Sequence, residues 1–156
     1  MKKLIIGADS AGYELKEAVK AYLDAEGISY DDVGAQSAAD DKAYYHTACE
    51  AALGITGGKY EKGLLFCGTG MGMSIVANKH KGIYASVVES IYAAEKCRAI
   101  NNANVLCMGG FIVGHKLGIE MVKKFLNTEF TENMDEVRDF LNMAYADIQK
   151  MEEDLF

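Results

Sequence analysis

Two patterns of hydrophobic and polar positions alternate along the chain. Unbroken apolar runs recur at Lys2–Ala8, Gly63–Gly68, Ile83–Val88 and Asn104–Gly110, with a weaker one at Ser29–Gly34. Runs this short and continuous predict strands buried on both faces. Between them, apolar residues recur at spacings of three and four. Leu15, Ala18, Val19, Tyr22 and Leu23 share one helix face, and Val113, Leu117, Met121, Val122 and Phe125 share another. Strand then helix, repeated, predicts an α/β fold: a parallel sheet of five strands with helices on both faces.

The C-terminal segment 132–155 reads differently. Val137, Phe140, Leu141, Ala144, Ile148, Met151 and Leu155 form one long apolar stripe with charged residues between them. A helix of that length outruns a small domain, so its far end is predicted to pack on a partner subunit; the plain alternative is a helix that closes the core.

The 156 residues fit one domain, 1–156. With 23 acidic and 16 basic residues and a net charge of −7, the chain is a poor ligand for nucleic acid or an anionic membrane. No apolar run is long enough to span a bilayer and no signal pattern follows "MKKLIIGADS", so a cytoplasmic location is expected. Cys49, Cys67, Cys97 and Cys107 show neither disulfide nor metal spacing. There is no proline, for which the pattern offers no account.

Chemistry concentrates at "LLFCGTGMGMS", Leu64–Ser74. Cys67 ends a predicted buried strand, and "GTGMG" leads into a predicted helix, "MSIVANK". A thiol facing a helix N-terminus is favoured as thiolate. Gly68, Gly70 and Gly72 let backbone amides approach a ligand oxygen without intervening side chains, and Thr69 adds a hydroxyl to the same rim. Such a thiolate serves as base or nucleophile, while the plain alternative is a small buried cysteine beside a tight turn. A cysteine phosphatase requires an arginine where Met73 stands. The glycines read G-x-G-x-G, a weak dinucleotide match even with Glu89 at the end of the next strand run, and a Walker loop would need a lysine that "GMS" lacks. The first loop, "GADSAGYELK", brings Asp9 and Ser10 to the same sheet edge, as hydroxyl ligands, as a cap for the helix starting near Gly12, or as both.

Three segments, "MKKLIIGADSAGYELK", "CGTGMGMSIVANK" and "NNANVLCMGGFIVG", resemble the ribose-5-phosphate isomerase type B family, which includes the galactose-6-phosphate isomerase subunits. The likeness runs in register from Met1 to about Arg138. It implies a Rossmann-like α/β/α domain that assembles as a homodimer or tetramer, with active sites shared between subunits and no metal or organic cofactor. It implies a sugar phosphate as substrate and an aldose–ketose interconversion through a cis-enediolate, with Cys67 as base and Thr69 assisting ring opening. Asp9 would hold substrate hydroxyls. Asn101 and the backbone from Gly68 to Ser74, including Gly70 and Gly72, would stabilise the enediolate oxygens, Arg138 would meet the phosphate, and the segment carrying Tyr44, Tyr45 and His46 would lie near the site.

The departures from that pattern bear on the substrate. Ser10 stands where the family carries a histidine ligand, and Ile100 where it carries the ring-opening histidine. Phe111 and Met134 stand where it carries phosphate-binding arginines. An isoleucine moves no protons, and each lost charge-assisted contact is worth roughly 1.5–3 kcal/mol. The expected substrate is therefore one already open-chain, such as a tetrose phosphate with a blocked terminal hydroxyl. Two alternatives stand beside it: a chain that needs a homologous second subunit, and a non-catalytic sugar- or nucleotide-binding subunit. His46, His80 and His115 are expected to be solvated histidines without a role.

Overall fold

A computed structural model describes residues 3–156. Five parallel strands, β1 (Leu4–Ala8), β2 (Tyr30–Asp32), β3 (Gly63–Cys67), β4 (Ala85–Val87) and β5 (Val105–Gly109), form one sheet in the order β2-β1-β3-β5-β4. Six helices accompany them: α1 (Tyr13–Ala25), α2 (Tyr44–Thr56), α3 (Met71–Ala77), α4 (Ile91–Ala99), α5 (His115–Asn127) and α6 (Arg138–Leu155). The predicted strand run that starts at Lys2 begins outside the described residues.

Side chains alternate across the three central strands, as a period of two requires. Leu4, Ile6, Leu64, Phe66, Leu106 and Met108 join one core with α1, α4 and α5, while Ile5, Leu65, Cys67, Val105 and Cys107 join the other with α2 and α3. The two edge strands are only three residues long and half-buried, which is why the Ser29–Gly34 signal is weak and Ile83–Val88 shrinks to Ala85–Val87.

Helix α1 follows its apolar spacing: Leu15, Val19 and Leu23 are buried. It ends where Gly27 turns to φ 66 and Ile28 N–H reaches back to Leu23 O at 2.9 Å, a left-handed C-terminal closure. In α5 the buried residues are Gly118, Met121, Val122, Phe125 and Leu126. Leu117, expected on that face, is exposed instead, and Gly118 takes the inner position because a Cβ there would press on Leu15 Cδ1 at 2.8 Å.

The C-terminal helix begins later than 132. Thr131 and Asn133 take positive φ values of 65 and 55, which stop a right-handed helix, and a short 3₁₀ turn at Asp135–Val137 precedes α6. At 18 residues, α6 is about 27 Å long against about 16 Å for a five-residue strand. Only Leu141 of its stripe is buried; Phe140, Ile148, Met151 and Leu155 are exposed. Glu152 pins its far end, accepting from Gly82 N–H at 2.6 Å and Tyr84 O–H at 2.9 Å. Among the described residues, no helix is long and apolar enough to cross a membrane.

Candidate active site

Sheet order sets the site. The chain runs from β1 outward to β2 and then crosses back to β3 on the other side of β1, so the loops after β1 and β3 diverge and open a crevice at the carboxyl edge. Close backbone contacts weld three glycine loops together there. A Cβ on Gly12 would lie 2.4 Å from Phe66 O, and one on Gly110 would lie 2.4 Å from Ala11 O. Gly110 N–H donates to Cys67 O at 2.7 Å, and Phe111 N–H to Gly68 O at 3.0 Å.

Cys67 ends β3 on the α2/α3 side of the sheet. It is 5 % exposed, just beneath a lip formed by half-buried Gly68 and Thr69 and exposed Met71. Gly70, in the left-handed region at φ 77, turns the chain so that its N–H donates to Cys67 Sγ at 3.1 Å. The Gly70 amide and the first turn of α3 are thus the polar groups nearest the sulfur. Burial pushes the Cys97 thiol up to about 11, and burial together with the neighbouring Cys67 and Cys97 raises Cys107 further. Those two stay protonated.

Thr69 accepts from Met71 N–H at 3.3 Å through its hydroxyl oxygen, which orients the group on the rim. Asp9 Oδ1 accepts from Gly12 N–H at 3.0 Å, which closes the turn into α1, while Oδ2 has no partner among the described residues. Ser10 is exposed beside it. The Tyr44 ring lies over the loop, its Cε2 2.7 Å from where a Gly72 Cβ would be. Ser74 is turned away: its hydroxyl donates to Ala85 O at 3.3 Å and accepts from Asn78 Nδ2 at 3.3 Å, so it ties α3 to β4 and leaves only backbone for the cradle.

Asn101 and Arg138 are not at this edge. Register pairs Cys67 with Gly109 at one end of β3 and Gly63 with Val105 at the other, a separation of about 13 Å. Asn101 follows α4 and precedes β5, beyond the Gly63 end. The segment leading to Arg138 departs from the same amino edge, with Thr131 N–H bonded to Ala99 O at 2.9 Å, and Arg138 itself pairs with Asp135. Three hollows on the isolated chain are lined by residues 133–137, by Lys81–Tyr84 with α6, and by Glu61, Lys62 and Arg98 with their neighbours; none includes Cys67.

His80 departs from expectation. It is half-buried, with Nδ1 against Val76 O at 3.1 Å and Nε2 3.5 Å from Cys49 Sγ, because it caps the carbonyls at the end of α3. His46 and His115 are exposed. Among the described residues, no cluster of histidine, cysteine or carboxylate side chains is arranged to hold a metal.

The site is a cysteine seated in a glycine cradle at the carboxyl edge of a doubly wound sheet, and comparison with known proteins gives its class. A profile of the ribose/galactose isomerase family matches residues 4–140. The chain belongs to that family. It is 49 % identical over 155 residues to a 4-deoxy-4-sulfo-D-erythrose isomerase from Clostridium sp., covering 99 % of this chain and 98 % of that protein. It is 41 % identical over 130 residues to D-erythrulose-4-phosphate isomerase 2 from Mycolicibacterium smegmatis, covering 82 % and 86 %. Ribose-5-phosphate isomerase B from Clostridium thermocellum superposes with a TM-score of 0.89 at 30 % identity over 99 % of both chains. The five-stranded α/β fold with its long C-terminal helix is thus the family fold, and membership sets the chain among isomerases rather than dinucleotide binders.

Proposed function

We propose that the protein interconverts the aldose and ketose forms of a four-carbon sugar carrying an anionic group on C4, with Cys67 as the base. The observation that carries the chemistry is the Gly70 N–H donated to Cys67 Sγ at 3.1 Å. The thiolate takes the C2 proton of the aldose and returns it to C1. Thr69 passes the hydroxyl proton from O2 to O1, so the substrate is rearranged with no atom gained or lost. Amides of the first turn of α3, which have no intrahelical acceptor, face the charge that develops on the enediolate oxygens. Asp9 Oδ2 accepts from a substrate hydroxyl.

The substrate reading rests on Ile100 and on ring chemistry. An aldotetrose closes a five-membered ring only through its C4 hydroxyl. Replacing that hydroxyl with a sulfonate, or esterifying it with phosphate, keeps the sugar open-chain, and no ring-opening acid is needed. The names of the Clostridium and Mycolicibacterium relatives, both with four-carbon substrates, support this reading; a C4 sulfonate and a C4 phosphate are the two candidates. With Cys67, Thr69 and Asp9 on one edge and Asn101 and Arg138 on the other, a complete site takes both edges from different copies in a homodimer or tetramer, and the exposed stripe of α6 supplies an oligomerisation surface.

Exchange of the C2 proton into D₂O, followed by NMR, tests the proposal. The purified protein is expected to exchange 4-deoxy-4-sulfo-D-erythrose or its phosphate counterpart without a second subunit. Cys67→Ala should lose about 10²–10⁴-fold in rate while still binding sugar. A Cys67→Ala variant with undiminished exchange would remove the thiolate from the mechanism.

A further inference from the structure

Phe111 belongs to neither core and has no part in the proton transfer. It directly follows the glycine pair at the end of β5, and its side chain is 78 % exposed. Its position is nevertheless fixed, because its amide donates to Gly68 O at 3.0 Å and the preceding amide, of Gly110, to Cys67 O at 2.7 Å. Ring atoms Cε2, Cδ2 and Cζ lie 2.6, 2.9 and 3.3 Å from where a Cβ on Gly68 would be. The ring therefore stands on the Cα of the first residue after the reactive cysteine. Tyr44 does the same over Gly72. The two rings bracket the cradle, and four peptide units separate the glycines beneath them, at most about 15 Å of chain and less here because the chain turns into α3.

We propose that Phe111 determines substrate length. Its ring is an end wall of the cradle, so a sugar whose C1 and C2 sit at Cys67 Sγ is admitted with four carbons and an anionic terminus and excluded with five or six. The wall presents no charge and no hydrogen-bond donor. A longer chain would push its anionic end against carbon, losing hydration with nothing to replace it, whereas a shorter one stops before the ring and keeps its charged end hydrated. Because the Phe111 backbone is bonded to the same loop that carries the sulfur, wall and base hold a constant spacing. The assignment of a length rests on the isomerase reading above.

The test compares Phe111→Ala and Phe111→Leu with the unaltered protein, measuring kcat/KM for C2-proton exchange on 4-deoxy-4-sulfo-D-erythrose and on a 4-deoxypentose 5-phosphate, a five-carbon aldose that without its C4 hydroxyl also stays open-chain. Circular dichroism and sedimentation accompany each variant, and the leucine variant serves if alanine does not fold. The expected result is a rise of tenfold or more in the ratio of five-carbon to four-carbon kcat/KM, carried mainly by KM on the longer sugar. An unchanged ratio overturns the proposal. So does an equal fall on both sugars with altered sedimentation, which would make Phe111 a contact between copies. Failure of the unaltered protein on every four-carbon sugar would instead sink the functional reading, so the two failures are distinguishable.

Discussion

Replacing Gly70 with alanine probes the point where fold and chemistry meet. At φ 77 the residue sits in left-handed space, which disfavours an L side chain by about 1–2 kcal/mol. The added methyl would also lie 2.9 Å from the Met108 carbonyl carbon and 3.1 Å from its Cα. Met108 is backbone of a central strand and cannot yield, so the loop must move, and the Gly70 N–H bond to Cys67 Sγ, 3.1 Å long, tilts or lengthens. A hydrogen bond to a charged group is worth about 1.5–3 kcal/mol, and each 1.4 kcal/mol is a factor of ten. The expected loss is therefore about 10- to 150-fold in kcat/KM for C2-proton exchange, falling mainly on kcat, with about 1–2 kcal/mol less stability in urea melts. A variant that exchanges at the original rate would show that this amide does not support the sulfur. One that is slow but equally stable would refute the strain argument.

Three further outcomes follow from ion pairs and buried phenols. Lys16 is 0 % exposed and bonds Asp32 at 2.7 Å, while Lys20 bonds the same carboxylate at 2.9 Å; Asp32→Ala leaves the buried ammonium only the Ala35 carbonyl and Glu17 at 3.6 Å and should cost about 3 kcal/mol in urea unfolding. Hydrogen bonds from Lys3 and then Tyr60 hold the Asp31 carboxyl down to about 2. The unfolded chain, with an ordinary Asp near 3.9, takes up that proton first, so the contribution is present above about pH 4 and lost as pH falls toward 2. Asp31→Asn should flatten that limb of the stability curve; a limb unchanged by the substitution would refute the assignment. Burial and the bond to Glu152 raise the Tyr84 phenol above its ordinary value, so above about pH 10 the unfolded state loses a proton that the folded one keeps, and stability falls as pH rises. Tyr84→Phe should remove that part of the alkaline loss, measured as the difference between the two pH profiles.

How much of this was legible in the chain depended on burial. The central strands β1, β3 and β5 are buried on both faces and wrote themselves as continuous apolar runs, and α1 and α5 as stripes. Helix α2 left no such stripe, because apart from Ile55 its inward residues, Thr47, Ala48, Ala51 and Ala52, are small or polar and fit a close approach to the sheet rather than a broad apolar face. Helix α4 is nine residues long, too short for periodicity to separate it from a loop. Nothing local encodes the insertion of β5 between β3 and β4, which is a property of pairing across the sheet. At the site, the placement of Cys67, Thr69 and the glycines follows from a strand meeting a loop. The use of the Ser74 hydroxyl, bonded to Ala85 O, could not be read locally, because it depends on where β4 lies against α3. The separation of Asn101 from Cys67 was readable in principle, since one residue follows a helix and the other follows a strand.

That separation has a genetic consequence under the proposed assembly. A chain mutated at Cys67 and a chain mutated at Asn101 would each be inert when pure, yet a mixed pair would join one intact sulfur to one intact amide. Two dead alleles expressed together would then recover part of the turnover, whereas a self-sufficient protomer would recover none.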